Sequence, residues 1–325
     1  MNLFSIINTF NFVFKLLTLV IFRFIIELNF NQYKERISFM TNPKNSSFLA
    51  GTVISKDGTR IGYQSIGVGP GLLVIHGALS TSEHFTKLAE ELADSIRVHV
   101  MDRRGRRNSG SQGKDYCMEK ECEDVAAVQQ ETGAEYVFGH SYGGLVAMEV
   151  ARTLGLFRKI AVYEPGVSIH SKPNTWDWLP FYEEALRKND TRGAFACFVQ
   201  GAGHSPLTKL PLWYAKFMLR LFIRGEHWRE KEVLLKQNLL EHKEVRRLEG
   251  TYPLYETIRS KMLLAYGGKS PEAVAEMIRM LHQTIPHAQM LEIPRLHHLS
   301  PENQYEPLAI ARQVKRFFLY DKNEE

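Results

Sequence analysis

The sequence predicts an α/β fold, a mostly parallel sheet flanked by helices and interrupted by an inserted helical cap. Short apolar, β-branched runs alternate with helical patterns from residue 52 to Glu164. The alternation then gives way to a long helical, aromatic and charged stretch, and it resumes at Met262. A chain of 325 residues, 44% hydrophobic and 24% charged, has the makeup of a globular protein with room for one large domain and an insertion.

Taken in order, Thr52 to Ser55 and Ile61 to Gln64 flank Asp57-Gly58, a turn pair that predicts a hairpin. Leu72-Leu73-Val74-Ile75 reads as a buried strand, and Ser80 or Thr81 caps a helix running through Leu92. Next come a strand at Val98 to Met101, a helix at Glu119 to Glu131 and a strand at Tyr136 to Phe138. A helix at Gly144 to Leu154 and a strand at Ile160 to Tyr163 complete this part. The cap contains Trp176, Trp178, Trp213 and Trp228 and no clear strand. Met262 to Tyr266 returns to the sheet, with a helix from Pro271 to Thr284, a strand at Gln289 to Ile293 and a closing helix from about Asn303 to Phe318. Pro271 stands where a first-turn proline belongs. The expected organisation is an extension at 1–39, a core in two parts at 48–165 and 259–320, and a cap at 166–258.

The extension reads in two ways. Leu3 to Phe30 is mostly apolar, but Lys15, Arg23 and Glu27 leave Leu16 to Phe22 as its longest uncharged stretch. That is far short of the ~20 residues of a spanning helix. At helical spacing its polar residues share one side, as in a helix lying on a membrane surface. Equally, the polar segment after Met40 resembles the start of a protein, with residues 1–39 a translated upstream extension. The expected location is therefore cytoplasmic, or membrane-associated through residues 3–30. Three cysteines, Cys117, Cys122 and Cys197, lack a paired metal-binding spacing and read as reduced thiols. A net charge of +5, with one short cluster at Arg103, Arg104, Arg106 and Arg107, argues against nucleic acid as a partner.

The chemistry centres on Val137-Phe138-Gly139-His140-Ser141-Tyr142-Gly143-Gly144, where an apolar strand turns sharply into a helix. A serine nucleophile must be exposed and must meet a base, and such an elbow supplies the exposure. Tyr142, next in the chain, offers a backbone N–H to a developing oxyanion. This elbow, His76-Gly77 after the earlier strand and Asp102-Arg103-Arg104-Gly105-Arg106-Arg107-Asn108-Ser109 together resemble the α/β-hydrolase family from about residue 50 to 320. The resemblance implies Ala78 as the second oxyanion donor and the Asp102 run as scaffold, its arginines solvated or carboxylate-paired at the surface. His76 reads as a loop-packing residue. Arg107 departs from the family pattern, standing where glycine is usual.

Ile293-Pro294-Arg295-Leu296-His297-His298 resembles the family's Pro-Gly-x-Gly-His ending, which makes His298 the base and puts His297 in a glycine position. The usual aspartate after the strand ending at Tyr266 is replaced by serine in Gly267-Gly268-Lys269-Ser270. Either Glu272 substitutes, or the acid follows the preceding strand, as in the haloalkane dehalogenases, at Glu164. A glutamate ending an apolar strand is otherwise hard to explain, which favours Glu164. The expectation is a serine hydrolase with a Ser141, His298, Glu164 triad acting through an acyl-enzyme on a small-molecule ester-type or related carbonyl substrate with an apolar group, needing neither cofactor nor metal. The alternative is a weakly or non-catalytic ligand-binding protein on the same fold.

Overall fold

Alternate residues of the central strands serve two different cores, and this organises the molecule. The computed structural model describes residues 47–169, 175–201 and 210–320. The strands are β1 (Leu49–Ile54), β2 (Arg60–Ile66), β3 (Gly71–Ile75), β4 (Arg97–Met101), β5 (Tyr136–His140), β6 (Lys159–Tyr163), β7 (Lys261–Gly267) and β8 (Gln289–Ile293). They form one eight-stranded sheet in the order β1-β2-β4-β3-β5-β6-β7-β8. The β1/β2 hairpin closes with Ile54 opposite Arg60, and β2 pairs antiparallel with β4. From β4 to β8 every pairing is parallel.

Leu73, Ile75, Val137, Ile160, Val162 and Leu264 face one core. There they meet α2 (Met118–Thr132), α3 (Tyr142–Thr153) and α9 (Glu272–Thr284). Leu72, Val74, Val98, Phe138, Ala161 and Leu263 face the other, against α1 (Thr86–Leu92) and α10 (Pro307–Leu319). Burial on both faces explains why these strands read as continuous apolar runs.

Between β6 and β7 run α4 (Trp178–Arg187), α5 (Thr191–Gly201), α6 (Leu212–Phe222), α7 (Gly225–Val233) and α8 (Leu235–Arg247). They enclose a third core of Leu179, Tyr182, Phe195, Leu219, Trp228 and Leu235. Leu79, from the loop after β3, is buried in that same core, and its carbonyl accepts a hydrogen bond from Lys231 Nζ at 2.8 Å.

The helices α2 and α3 begin one and two residues earlier than expected, at Met118 and Tyr142, and three further starts differ from expectation. Thr81 precedes a short 3-10 turn, Ser82–Phe85, and α1 proper begins at Thr86. The Ser82 N–H donates to Asp102 Oδ1 at 3.0 Å and the Thr81 N–H to His84 Nδ1 at 3.2 Å, which engages the first turn with side chains. Pro271 lies immediately before α9 in an extended conformation. The closing helix starts at Pro307, because Asn303 is engaged at the start of α1. There its Oδ1 accepts the Lys87 N–H and its Nδ2 donates to the Glu83 carbonyl and Thr86 Oγ1. The extension at residues 1–39 lies outside the described residues. Among the described residues no helix is long and apolar enough to cross a membrane.

Candidate active site

At the end of β5 the chain reverses into α3 through Ser141, whose φ of 53° is a left-handed value. Strain of this kind costs ~1–3 kcal/mol and persists only where the surroundings enforce it. The Ser141 N–H donates to the Tyr163 carbonyl, and the Gly166 N–H donates to the Ser141 carbonyl. Gly143 is obligatory for a different reason: a Cβ there would stand 2.2 Å from the Ile75 carbonyl oxygen. The elbow is thus wedged against β3.

One strand over, β6 ends in the same manner, with Glu164 at φ 46°. Glu164 Oε2 lies 2.8 Å from His298 Nδ1, and His298 Nε2 lies 3.1 Å from Ser141 Oγ. The other carboxylate oxygen, Oε1, accepts the Gly267 N–H at 2.9 Å and the Ser270 hydroxyl at 2.5 Å. Burial alone would push this carboxyl up. The hydrogen bond and charge of His298, helped by Ser270 and Gly267, instead hold it at about 2. An ionised carboxylate only accepts, so Nδ1 of His298 carries a proton, which turns Nε2 towards the Ser141 hydroxyl.

The alternatives separate cleanly in space. His297 stands edge-on to Tyr305 at 4.9 Å between ring centroids, and its carbonyl accepts the Tyr163 hydroxyl. Glu272 is exposed and pairs with Arg279 at 2.5 Å. In the loop before His298 the left-handed residue is Arg295, with φ 67°. His297 is not among the residues of positive φ, so its replacement of glycine brings no backbone strain. Arg107 does keep the glycine-like conformation, with φ 35°.

Two residues near the site were not singled out from the sequence. Ser270 anchors Glu164, and its only sequence signal is its place in the run after β7 where the family resemblance implies an acid. His140, between glycine and serine in the elbow, is buried, and its Nε2 donates to the His298 carbonyl at 2.8 Å. Burial foremost, with the neighbouring His298 charge, pushes the His140 pKa down to about 4, so the ring is neutral.

The loop after β3 runs beside Ser141, for a Cβ on Gly77 would lie 3.0 Å from Ser141 Cβ, and Ala78 follows directly. Tyr142 opens α3, where a helical N–H has no acceptor within its own helix. Arg103 braces both positions. Its guanidinium donates to the carbonyls of His76 and Gly77 at 3.4 Å and lies 4.5 Å from the centroid of the Tyr142 ring. It also pairs with Glu121 at 3.1 Å and with Glu241 of α8. His76 Nε2 accepts the Arg103 N–H at 3.2 Å, which fits a loop-packing residue.

The arginine run therefore needs correction. Arg103, Arg104 and Arg106 are carboxylate-paired but fully buried, with Arg104 on Asp124 at 2.7 Å and Arg106 on Glu241. Only Arg107 has the partly exposed position expected of all four, pairing there with Glu83. Among the described residues no group of three or more His, Cys, Asp or Glu side chains could hold a metal ion.

A serine on a strand-to-helix elbow and a histidine beyond the last strand of a mostly parallel sheet define an α/β hydrolase. Residues 72–312 match the pattern of the alpha/beta hydrolase family, and the chain belongs to it. It is similar to an alpha/beta hydrolase from Sphaerobacter thermophilus DSM 20745, with 28% identity and a TM-score of 0.68 over 82% of this chain and 100% of that one. A thermophilic esterase from Thermogutta terrifontis shares the fold at 20% identity and a TM-score of 0.62, over 82% of this chain and 97% of that one. The uncharacterized hydrolase YraK of Bacillus subtilis (strain 168) is 32% identical over 97 residues, which span 29% of this chain and 36% of that protein.

Proposed function

We propose that the protein is a serine hydrolase of ester-type carbonyl substrates carrying an apolar group, working through an acyl-enzyme. The observation that carries this reading is the unbroken hydrogen-bond chain from Ser141 Oγ through His298 to Glu164. Ser141 Oγ attacks the carbonyl carbon while His298 Nε2 takes its proton, and the Tyr142 and Ala78 N–H groups stabilise the oxyanion. His298 then returns the proton to the leaving oxygen as the tetrahedral intermediate collapses. Water, deprotonated by the same nitrogen, releases the acid in the second half-reaction. Glu164 holds the histidine's tautomer and balances its transient positive charge.

An apolar acyl or ring group is supported by Val167 and Ile169, which follow the Glu164-Pro165-Gly166 turn. Like Ala78, they pack against the apolar cluster that includes Tyr142. The acyl-enzyme reading is tested with a fluorophosphonate probe and short-chain p-nitrophenyl esters. Ser141 labels and esters turn over, whereas Ser141→Ala does neither. A well-folded protein whose Ser141 fails to label would be a ligand-binding member of the family instead. Association of residues 3–30 with a membrane is a separate proposal. It predicts that protein beginning at Met40 distributes differently in the cell from the full chain.

A further inference from the structure

The helix α6 is apolar nearly all round, yet only one of its sides is covered. Ala215, Met218 and Leu219 are buried. On the other side Trp213 is 72% exposed, Phe217 54% and Leu221 37%. These three recur every fourth residue, so they form one stripe along the helix. Leu212 and Phe222 are also well exposed at its two ends. A contiguous apolar strip of this kind marks a surface that meets something other than water.

Charge says what that is. Between Asp190 and Glu226 the chain has no carboxylate side chain, but it carries Arg192, Lys209, Lys216, Arg220 and Arg224. Lys216 is neutralised by Asp190. Arg220 and Arg224 are exposed and have no carboxylate partner among the described residues. They lie one turn apart at the C-terminal end of the stripe, where the Arg224 Nε donates to the Arg220 carbonyl. Aromatic and aliphatic side chains on one helix face, bordered by uncompensated cations, match the boundary between headgroups and acyl chains of an anionic bilayer. Two copies packed through this stripe would offer those arginines no carboxylate from their own 191–225 segments.

We propose that α6 seats the protein on an anionic phospholipid surface, with Trp213, Phe217 and Leu221 entering the layer and Arg220 and Arg224 meeting the headgroups. The seat is independent of the catalytic reading and of residues 3–30. It would let the hydrolase work on substrates that partition into lipid.

The test uses the full chain with vesicles of brominated phosphatidylglycerol, which quench a tryptophan only when it enters the layer. Wild type is quenched, and Trp213→Phe, which keeps an apolar side chain, sediments with vesicles equally but loses most of the quenching. Arg220→Glu with Arg224→Glu lowers partitioning into phosphatidylglycerol vesicles by roughly tenfold or more, with little change on phosphatidylcholine. Ser141→Ala binds like wild type, so a failure of the hydrolase reading leaves this result untouched. Equal quenching of wild type and Trp213→Phe would overturn the proposal, as would unchanged partitioning of the arginine variant. Absence of quenching, together with a smaller sedimentation mass for Phe217→Ser, would overturn it in favour of a second copy.

Discussion

Ser270 donates its hydroxyl to Glu164 Oε1 at 2.5 Å, joining the loop after β7 to the end of β6. Ser270 stands where the family resemblance of the sequence leads one to expect an aspartate. Here that position anchors a carboxylate that arrives from the neighbouring strand. Ser270→Ala removes one of two donors to Oε1 and is expected to lower kcat about tenfold, ~1.4 kcal/mol, with KM little changed. Steady-state kinetics on a p-nitrophenyl ester checks this, and unchanged kcat would make the contact incidental.

Glu164→Gln keeps the shape but cannot hold the same histidine tautomer. Turnover should fall by about 10³- to 10⁴-fold while slow fluorophosphonate labelling of Ser141 persists. Glu272→Gln, at an exposed pair with Arg279, should stay within about twofold of wild type. Wild-type activity in Glu164→Gln would remove the carboxylate from the triad.

The same kinetics separate the two histidines. His298→Ala should cost at least about 10⁴-fold in kcat, whereas His297→Ala should be mild. A severe loss in His297→Ala with near-normal His298→Ala would reverse the assignment.

Glu164 also gives stability a defined acid dependence. Its pKa is depressed from 4.5 to about 2 on folding, so its contribution is complete above about 4.5 and disappears as pH falls through about 2. Urea unfolding of wild type and Glu164→Gln should therefore diverge most at neutral pH and converge in that acid window. A gap that stays constant down to pH 2 would contradict the depressed pKa.

Arg103→Met would leave Glu121 and Glu241 short of a buried cation, with a loss of ~3–5 kcal/mol in denaturant unfolding. Glu241→Gln removes charge rather than stranding it and should be milder. Equal losses would show that packing of the arginine, not its charge, supports the loop.

The strands were legible because β3, β5 and β6 are buried on both faces and so read as uninterrupted apolar runs. Ser141 was legible because its constraint is local: strand, glycine, turn and helix lie within a few residues. Arg103, Arg104 and Arg106 were misread as surface because their partners arrive from α2 and α8, and nothing near the arginines announces those carboxylates. The contacts of His140 and Ser270 were not legible for the same reason, since each acts on a residue contributed by another part of the chain. The start of the closing helix was misplaced because Asn303, a good cap by type, is used by α1.

Leu79 belongs by sequence to the loop beside Ser141 and by packing to the core of the inserted helices. A chimera that exchanged those helices for a relative's would therefore strip the loop of its socket unless it also supplied a cavity matched to Leu79 and a cation for its carbonyl. Any exchange of the insertion requires residues 76–79 to travel with it, and directed evolution of either part should select compensating changes in the other.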